Sequence, residues 1–318
     1  MTELTQNPWQ TGNFGRGRRS RLLFGWSYED ERVELAAFGD PGRVCVIAAA
    51  GETAAACSSA GHQVTAIEIN PTQLDYCGAR LSGAPTRSGT AERGMTTGRS
   101  ALSVLAPGWR RDRLVRVLAT SGPAKAEAYW RAHLDTPTFR LLLATLLRPS
   151  GVMARVLRPE FAAGMTELFD QTLRARIGAG LARHGMAGNR FAWRLLAGME
   201  DPTWQLPPRA GQIKVVCADV VEHLAEVPAG HYSGISLSNV HDGAGPDLAV
   251  RLLAAARHAI APGGAIVLRS FADHDDPGEV NHAGQDASLL WGSVKVLRQP
   301  VPEPRGQHGS DAPSTFAR

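Results

Sequence analysis

Four stretches of the chain place chemistry-bearing side chains directly after apolar runs. The first is Ala49-Ala-Gly-Glu-Thr53, which follows Val44–Ala48. A strand, a turn of small residues and a helix let a ligand approach the backbone closely, and a helix start offers unpaired N–H groups. Glu68 comes 17 residues after Gly51, near the offset of about 20 at which an acid accepts ribose hydroxyls in nucleoside-binding α/β units. Ala49, Ala50, Gly51, Glu52, Thr53 and Glu68, with Ile69, Asn70 and Gln73 just beyond, are therefore expected to cradle a nucleoside. One glycine and no full G-x-G-x-x-G argue against a dinucleotide.

The second stretch is Asp219-Val220, after Ile213–Cys217. Its carboxylate could take the adenine amino group, with neighbouring apolar atoms on the ring, or it could cap the next helix. In the third, Leu237-Ser-Asn-Val-His-Asp242, Ser238 and Asn239 are placed to contact the ligand. The pair His241 and Asp242 could act as a base or hold substrate. The fourth, Arg269-Ser-Phe-Ala-Asp-His274, offers a guanidinium that could clamp a carboxylate bidentately, and a second Asp-His pair. Each has a plainer counterpart: a solvent-facing acid, a helix cap, a structural histidine, an internal ion pair.

Positioning these residues requires alternating strands and helices. Apolar runs at 44–48, 64–69, 213–217, 234–237 and 265–269 read as strands, with a last one, possible as antiparallel, at 289–297. Helices fill the intervals, and one begins at Asn70-Pro71, proline being tolerated in a first turn. The expected fold is α/β: a doubly wound, mostly parallel sheet with a large helical insertion. Residues 1–21 read as a flexible segment, 22–76 and 211–298 as the ligand-binding sheet, 77–210 as the insertion or lid, and 299–318 as a disordered tail. Within the insertion, 83–100 reads as loop, and 124–134, 138–147 and 160–184 as helices. The acids Glu29-Asp30-Glu31 read as the first turn of a helix running to Phe38.

The 318 residues carry a net charge of +4, with 43% hydrophobic and 20% charged content, as in globular proteins. Residues 80–210 hold 19 Arg and one Lys against nine acids, a net of +11, leaving −7 for the remainder. That basic section could meet a phosphate or a membrane surface peripherally, or be an arginine-rich solvated face. No aromatics alternate with these arginines, so nucleic acid is not an expected partner. Four cysteines lack metal-ligand spacing, so no metal is expected. The absence of an apolar run of signal or membrane-span length gives the cytoplasm as the expected location.

Several of these residues resemble the S-adenosylmethionine:diacylglycerol 3-amino-3-carboxypropyltransferases of bacterial betaine-lipid synthesis and their wider relatives. The resemblance covers about 22–275. It is carried by Phe24-Gly-Trp-Ser-Tyr-Glu-Asp-Glu-Arg-Val-Glu-Leu35, where the family pattern runs close to Trp-Glu-Asp-Pro-Arg-Val-Asp, and by Val46-Ile-Ala-Ala-Ala-Gly-Glu52. Ala66-Ile-Glu-Ile-Asn-Pro-Thr-Gln73, Tyr129-Trp130 and Leu237-Ser-Asn-Val240 complete it. Tyr28 stands where the family has Trp, Glu31 where it has Pro, and 77–130 matches poorly. The resemblance implies a sheet of the class I S-adenosylmethionine-dependent methyltransferase type, S-adenosylmethionine as a substrate, attack on the γ-carbon of its methionine arm, and release of methylthioadenosine to leave the 3-amino-3-carboxypropyl group on a small-molecule or lipid acceptor, a nucleophile of secondary metabolism being the alternative to a lipid. Tyr28 or Trp26 could face the sulfonium, or simply pack in the core. The rival readings are methyl transfer, intramolecular cyclisation of S-adenosylmethionine to azetidine-2-carboxylate, and a nucleoside-sensing or partner-binding protein without catalysis.

Overall fold

The computed structural model describes residues 20–157, 168–242, 246–273 and 279–301. Its centre is a six-stranded sheet of β1 (Arg43–Ile47), β2 (Gln63–Glu68), β3 (Ile213–Cys217), β4 (Tyr232–Ser236), β5 (Ile260–Ser270) and β6 (Ser293–Arg298). The strand order is β3-β2-β1-β4-β5-β6. All neighbours pair parallel except β5 and β6. The order reverses beside β1, which pairs with both β2 and β4, and this opens a crevice at the strands' carboxyl ends.

Alternation along the strands feeds two cores. Val44 and Val46 of β1, with Val64 and Ala66 of β2, pack under Val33 and Phe38 of α1 (Arg32–Phe38) and Ala54 and Ala55 of α2 (Glu52–Ser59). Cys45, Ile67 and Ile235 face the other way. They meet Leu224 of α10 (Val220–Glu226) and Leu252 and Ala256 of α11 (Pro246–Ala259). A sheet covered on both faces needs such near-continuous apolar strands.

Between β2 and β3 come α3 (Pro71–Leu81), α4 (Thr90–Leu105), α5 (Arg111–Thr120), α6 (Pro123–Tyr129), α7 (Pro137–Leu157), α8 (Phe169–His184) and the short α9 (Arg190–Ala192). The later of these helices share a third core around Trp109, Trp130, Leu134, Phe139, Leu181 and Trp193. Trp109 and Phe139 stack at 4.8 Å. This core is tied to the sheet by buried ion pairs. Arg194 meets Glu52 at 2.7 Å, and Arg190 pairs with Glu31.

Three expectations are corrected here. Residues 90–105 are helix, not loop, because Glu92 caps that helix by accepting the Gly89 N–H at 2.7 Å. Helix α1 starts at Arg32, not among the acids before it. The strand expected at 265–269 runs from Ile260 to Ser270 and takes in Pro262-Gly-Gly264 as a bulge: Tyr232 pairs with Ile260 and Gly234 with Ala265, and Gly263 takes a φ of 77°. Residues 1–19, most of the expected tail, the first part of the 160–184 helix and His274 lie outside the described residues. No helix among the described residues is long and apolar enough to cross a membrane.

Gly234 shows how tightly α1 sits on the sheet, since a Cβ there would lie 2.5 Å from the Phe38 ring. Gly234→Ala is expected to cost about 1–3 kcal/mol through overpacking. Chemical denaturation measures it, and an unchanged midpoint would mean that Phe38 can yield.

Candidate functional site

A cavity of about 790 Å³ opens beyond the carboxyl ends of β1 to β4 and runs up between the helices of the 77–210 section. That volume lies within the roughly 300–1,000 Å³ typical of small-ligand sites. Its lower end is polar and receives Glu29, Glu68, Asp219, Ser238 and Asn239. Its upper end is walled by apolar side chains, among them Met95, Leu102, Phe139, Leu143, Leu173 and Ile177.

Glu68 ends β2 on the cavity wall. Burial pushes its carboxyl up to about 7, against the pull of backbone N–H groups at Asn70, Ala49 and Ile69. The Asn70 N–H donates to it at 3.1 Å. Among the described residues it has no ion-pair partner, so a carboxylate with lone pairs to spare faces the cavity. Asp219 both lines the cavity and caps α10, accepting from the Val221 N–H at 2.7 Å. Val220 and Ile69 line the wall near these acids.

Two of the three described non-glycine residues with positive φ lie at the same place, the third being Leu289. Ala49, at the exit of β1, has φ 42°, and Ser238, at the exit of β4, has φ 52°. Non-glycine residues adopt such angles at a cost of about 1–3 kcal/mol, and they cluster where ligands bind. Both residues line the cavity. Comparison with protein-family models, curated proteins and solved structures returned no match. The site must be read from its own geometry.

That geometry moves several sequence-expected residues away from ligand contact. Of Ala49–Thr53, only Ala49 reaches the cavity. Ala50 is fully buried, Gly51 turns with φ 86° against Cys77 and Leu81, and Thr53 is buried on α2. Glu52 is buried among Arg194, Arg190 and Arg80, where it answers cations from the helical section. Asn70 and Gln73 line the wall, but their amides serve the chain itself. The Asn70 side chain accepts from the Thr72 N–H at 3.0 Å and donates to the Arg21 carbonyl at 2.9 Å. Gln73 accepts from the Leu23 and Phe24 N–H groups and donates to the Phe24 and Ala49 carbonyls. It thus pins the N-terminal segment over the β1 turn.

Arg269 is the clearest correction. Its side chain is fully buried, and its guanidinium donates to both oxygens of Glu34, to Asp286 at 2.9 Å and to the Asp30 carbonyl at 3.0 Å. These internal carboxylates occupy the fork that was expected to hold a substrate carboxylate. Asp242 accepts from the Ser270 hydroxyl at 2.6 Å and the Phe271 N–H at 2.8 Å, fastening the β5 exit to the β4 exit. His241, 3.8 Å from Asp242, is not among the cavity-lining residues, because the turn after β4 carries Asp242 and not His241 to the wall. Tyr28 lines the cavity with its hydroxyl donating to Glu92 at 3.2 Å. Burial, with Glu92 beside it, raises that phenol far above its ordinary value. It stays neutral, so it cannot serve as a base.

Sequence reasoning missed Glu29, Phe24, Met95, Gly98 and Phe271, all on the wall. Glu29 was read as a helical-turn acid. The α4 residues were hidden in a stretch of Gly, Ser and Thr, although Glu92 three residues after Gly89 is a capping signal. Among the described residues no cluster of three or more His, Cys, Asp or Glu could hold a metal ion.

Proposed function

We propose that this chain is an S-adenosylmethionine-dependent transferase that moves the 3-amino-3-carboxypropyl group to a nucleophilic acceptor and releases methylthioadenosine. The observation that carries the reading is the joint enclosure. One cavity connects two acid-bearing strand exits, Glu68 and Asp219, to an apolar chamber between helices. A nucleoside at the acids would have its sulfonium arm directed toward the acceptor space, with ribose on Glu68 and adenine near Asp219 and Val220. On this reading the sheet is of the S-adenosylmethionine-dependent methyltransferase type.

The choice of the γ-carbon rests on the family resemblance. Its separated segments converge here: Phe24, Trp26, Tyr28, Glu68 and Ser238 all line the wall. Three carbons flank the sulfonium and all are activated by its positive sulfur, so alignment at about 3–3.5 Å decides which is attacked and which thioether leaves. Trp26 and Tyr28 offer aromatic faces to the cation.

The apolar chamber favours an acceptor with a hydrocarbon body, either a lipid or a small molecule bearing one. Val104 and Leu105 on α4 and Leu141 and Leu146 on α7 are exposed apolar side chains on two helices that wall this chamber. Beside a section of net charge +11, they suit peripheral contact with an anionic membrane surface.

Chromatography of the nucleoside product tests the reaction. Methylthioadenosine is expected to accumulate on turnover. S-adenosylhomocysteine in its place would mean methyl transfer. Methylthioadenosine together with a cyclic amino acid, with no acceptor added, would mean cyclisation.

A further inference from the structure

We propose that Glu29 is the general base that takes the proton from the acceptor nucleophile, an inference that rests on the transfer reading above. Glu29 lines the cavity beside Tyr28, at the polar end where the nucleoside arm and the acceptor would meet. The Ser238 hydroxyl donates to its Oε1. Its Oε2 lies 3.7 Å from the Arg269 guanidinium, beyond hydrogen-bond reach, and that guanidinium is already engaged by Glu34 and Asp286. One oxygen is therefore fixed by the β4 exit while the other keeps lone pairs for a ligand.

The charged groups facing Glu29 come from three elements. Arg269 on β5 draws its proton off, whereas Glu34 on α1 and Asp286 ahead of β6 hold the proton on. Burial is the largest influence, and with these neighbours it raises the carboxyl to about 7. A base that titrates near neutrality combines a usable ionised fraction with real proton affinity. The other candidates are committed elsewhere. Tyr28 is a neutral donor to Glu92, Asp242 is bound to Ser270 and Phe271, and His241 lies off the wall.

The step balances without a further reactant. The nucleophile X–H gives its proton to the Glu29 carboxylate as its lone pair forms the X–C bond to the γ-carbon. The C–S bond breaks, and its electron pair returns to sulfur, giving neutral methylthioadenosine.

The test compares wild type, Glu29→Gln and Glu29→Asp, with S-adenosylmethionine and the acceptor probe 1-decanol both saturating, since an alcohol hydroxyl does not titrate in this range, and follows methylthioadenosine across pH 5–9. Wild-type kcat is expected to fall below about pH 7. At saturation this limb belongs to Glu29, because a bound ribose holds Glu68 ionised. Glu29→Gln should lower kcat by about 10²–10³-fold and abolish the limb, with calorimetric affinity for S-adenosylmethionine within about twofold. Glu29→Asp, which keeps a carboxylate, should retain the limb at reduced rate and covers the case in which the Gln variant does not fold. A Gln variant matching the wild-type rate and profile overturns the proposal. So does a kcat left intact while affinity for S-adenosylmethionine drops, which would make Glu29 a binding group. Wild type that forms no methylthioadenosine would overturn the transfer reading itself.

Discussion

Glu68→Gln is expected to weaken S-adenosylmethionine binding by about 1–3 kcal/mol, a loss of roughly 5- to 150-fold in affinity. The ribose diol would donate two hydrogen bonds to the carboxylate, and hydrogen bonds to a charged acceptor are the stronger kind. The amide keeps the size but loses the charge and one acceptor oxygen. The pH dependence follows from the free protein, in which burial holds the Glu68 carboxyl at about 7. A ribose diol donating to it would select the ionised form. Affinity should therefore be full above about pH 7 and fall as pH drops below it, by up to tenfold per unit. In the Gln variant this dependence should vanish. Calorimetric titrations at pH 5.5, 7 and 8.5 measure both effects. Equal affinities for variant and wild type would remove Glu68 from the site.

Arg269→Met should be the most damaging substitution for stability. Arg269 and Glu34 are both fully buried, and Asp286 is nearly so. Removing the guanidinium strands two carboxylates in the interior, and breaking a buried pair from one side costs about 3–5 kcal/mol. Most of that cost is the charge left behind. Arg269→Met combined with Glu34→Gln should therefore recover part of the loss, the Gln being uncharged. Urea denaturation of the two variants checks this. A single variant as stable as wild type would contradict the assignment of Arg269 as an internal ion-pair partner.

The same arginine marks where reading from sequence stops. The apolar run Val44–Ala48, followed by a helix, made a doubly wound parallel sheet legible, because a strand buried on both faces must be apolar throughout. A polar residue at a strand exit is different. Arg269 looks outward in a one-dimensional reading, and only the fold brings Glu34 and Asp286, distant in sequence, against it. Asn70 and Gln73 suffered the same ambiguity. Their side chains suit a ligand or a backbone equally, and the N-terminal segment claimed them.

The acids 29–31 carry the sharper lesson. Read together they formed a helical first turn, yet the chain sends each to a different place. Glu29 reaches the cavity, Asp30 accepts from Arg32 and the Ala287 N–H, and Glu31 pairs with Arg190. Spacing along the chain could not separate them, because α1 begins only after all three. Glu68 and Asp219 were legible because a strand end projects toward the crevice whatever the insertion does.

On the proposed function, the cavity beyond β1 and β4 holds S-adenosylmethionine at its polar end. Calorimetric titration of S-adenosylmethionine into the wild-type chain at pH 8, with methylthioadenosine titrated in parallel, tests it most directly. Saturable binding of one molecule per chain is predicted for both nucleosides, with methylthioadenosine competing for the same site. Absence of binding heat for either, over several temperatures, would contradict the account and point to a fold that holds no nucleoside.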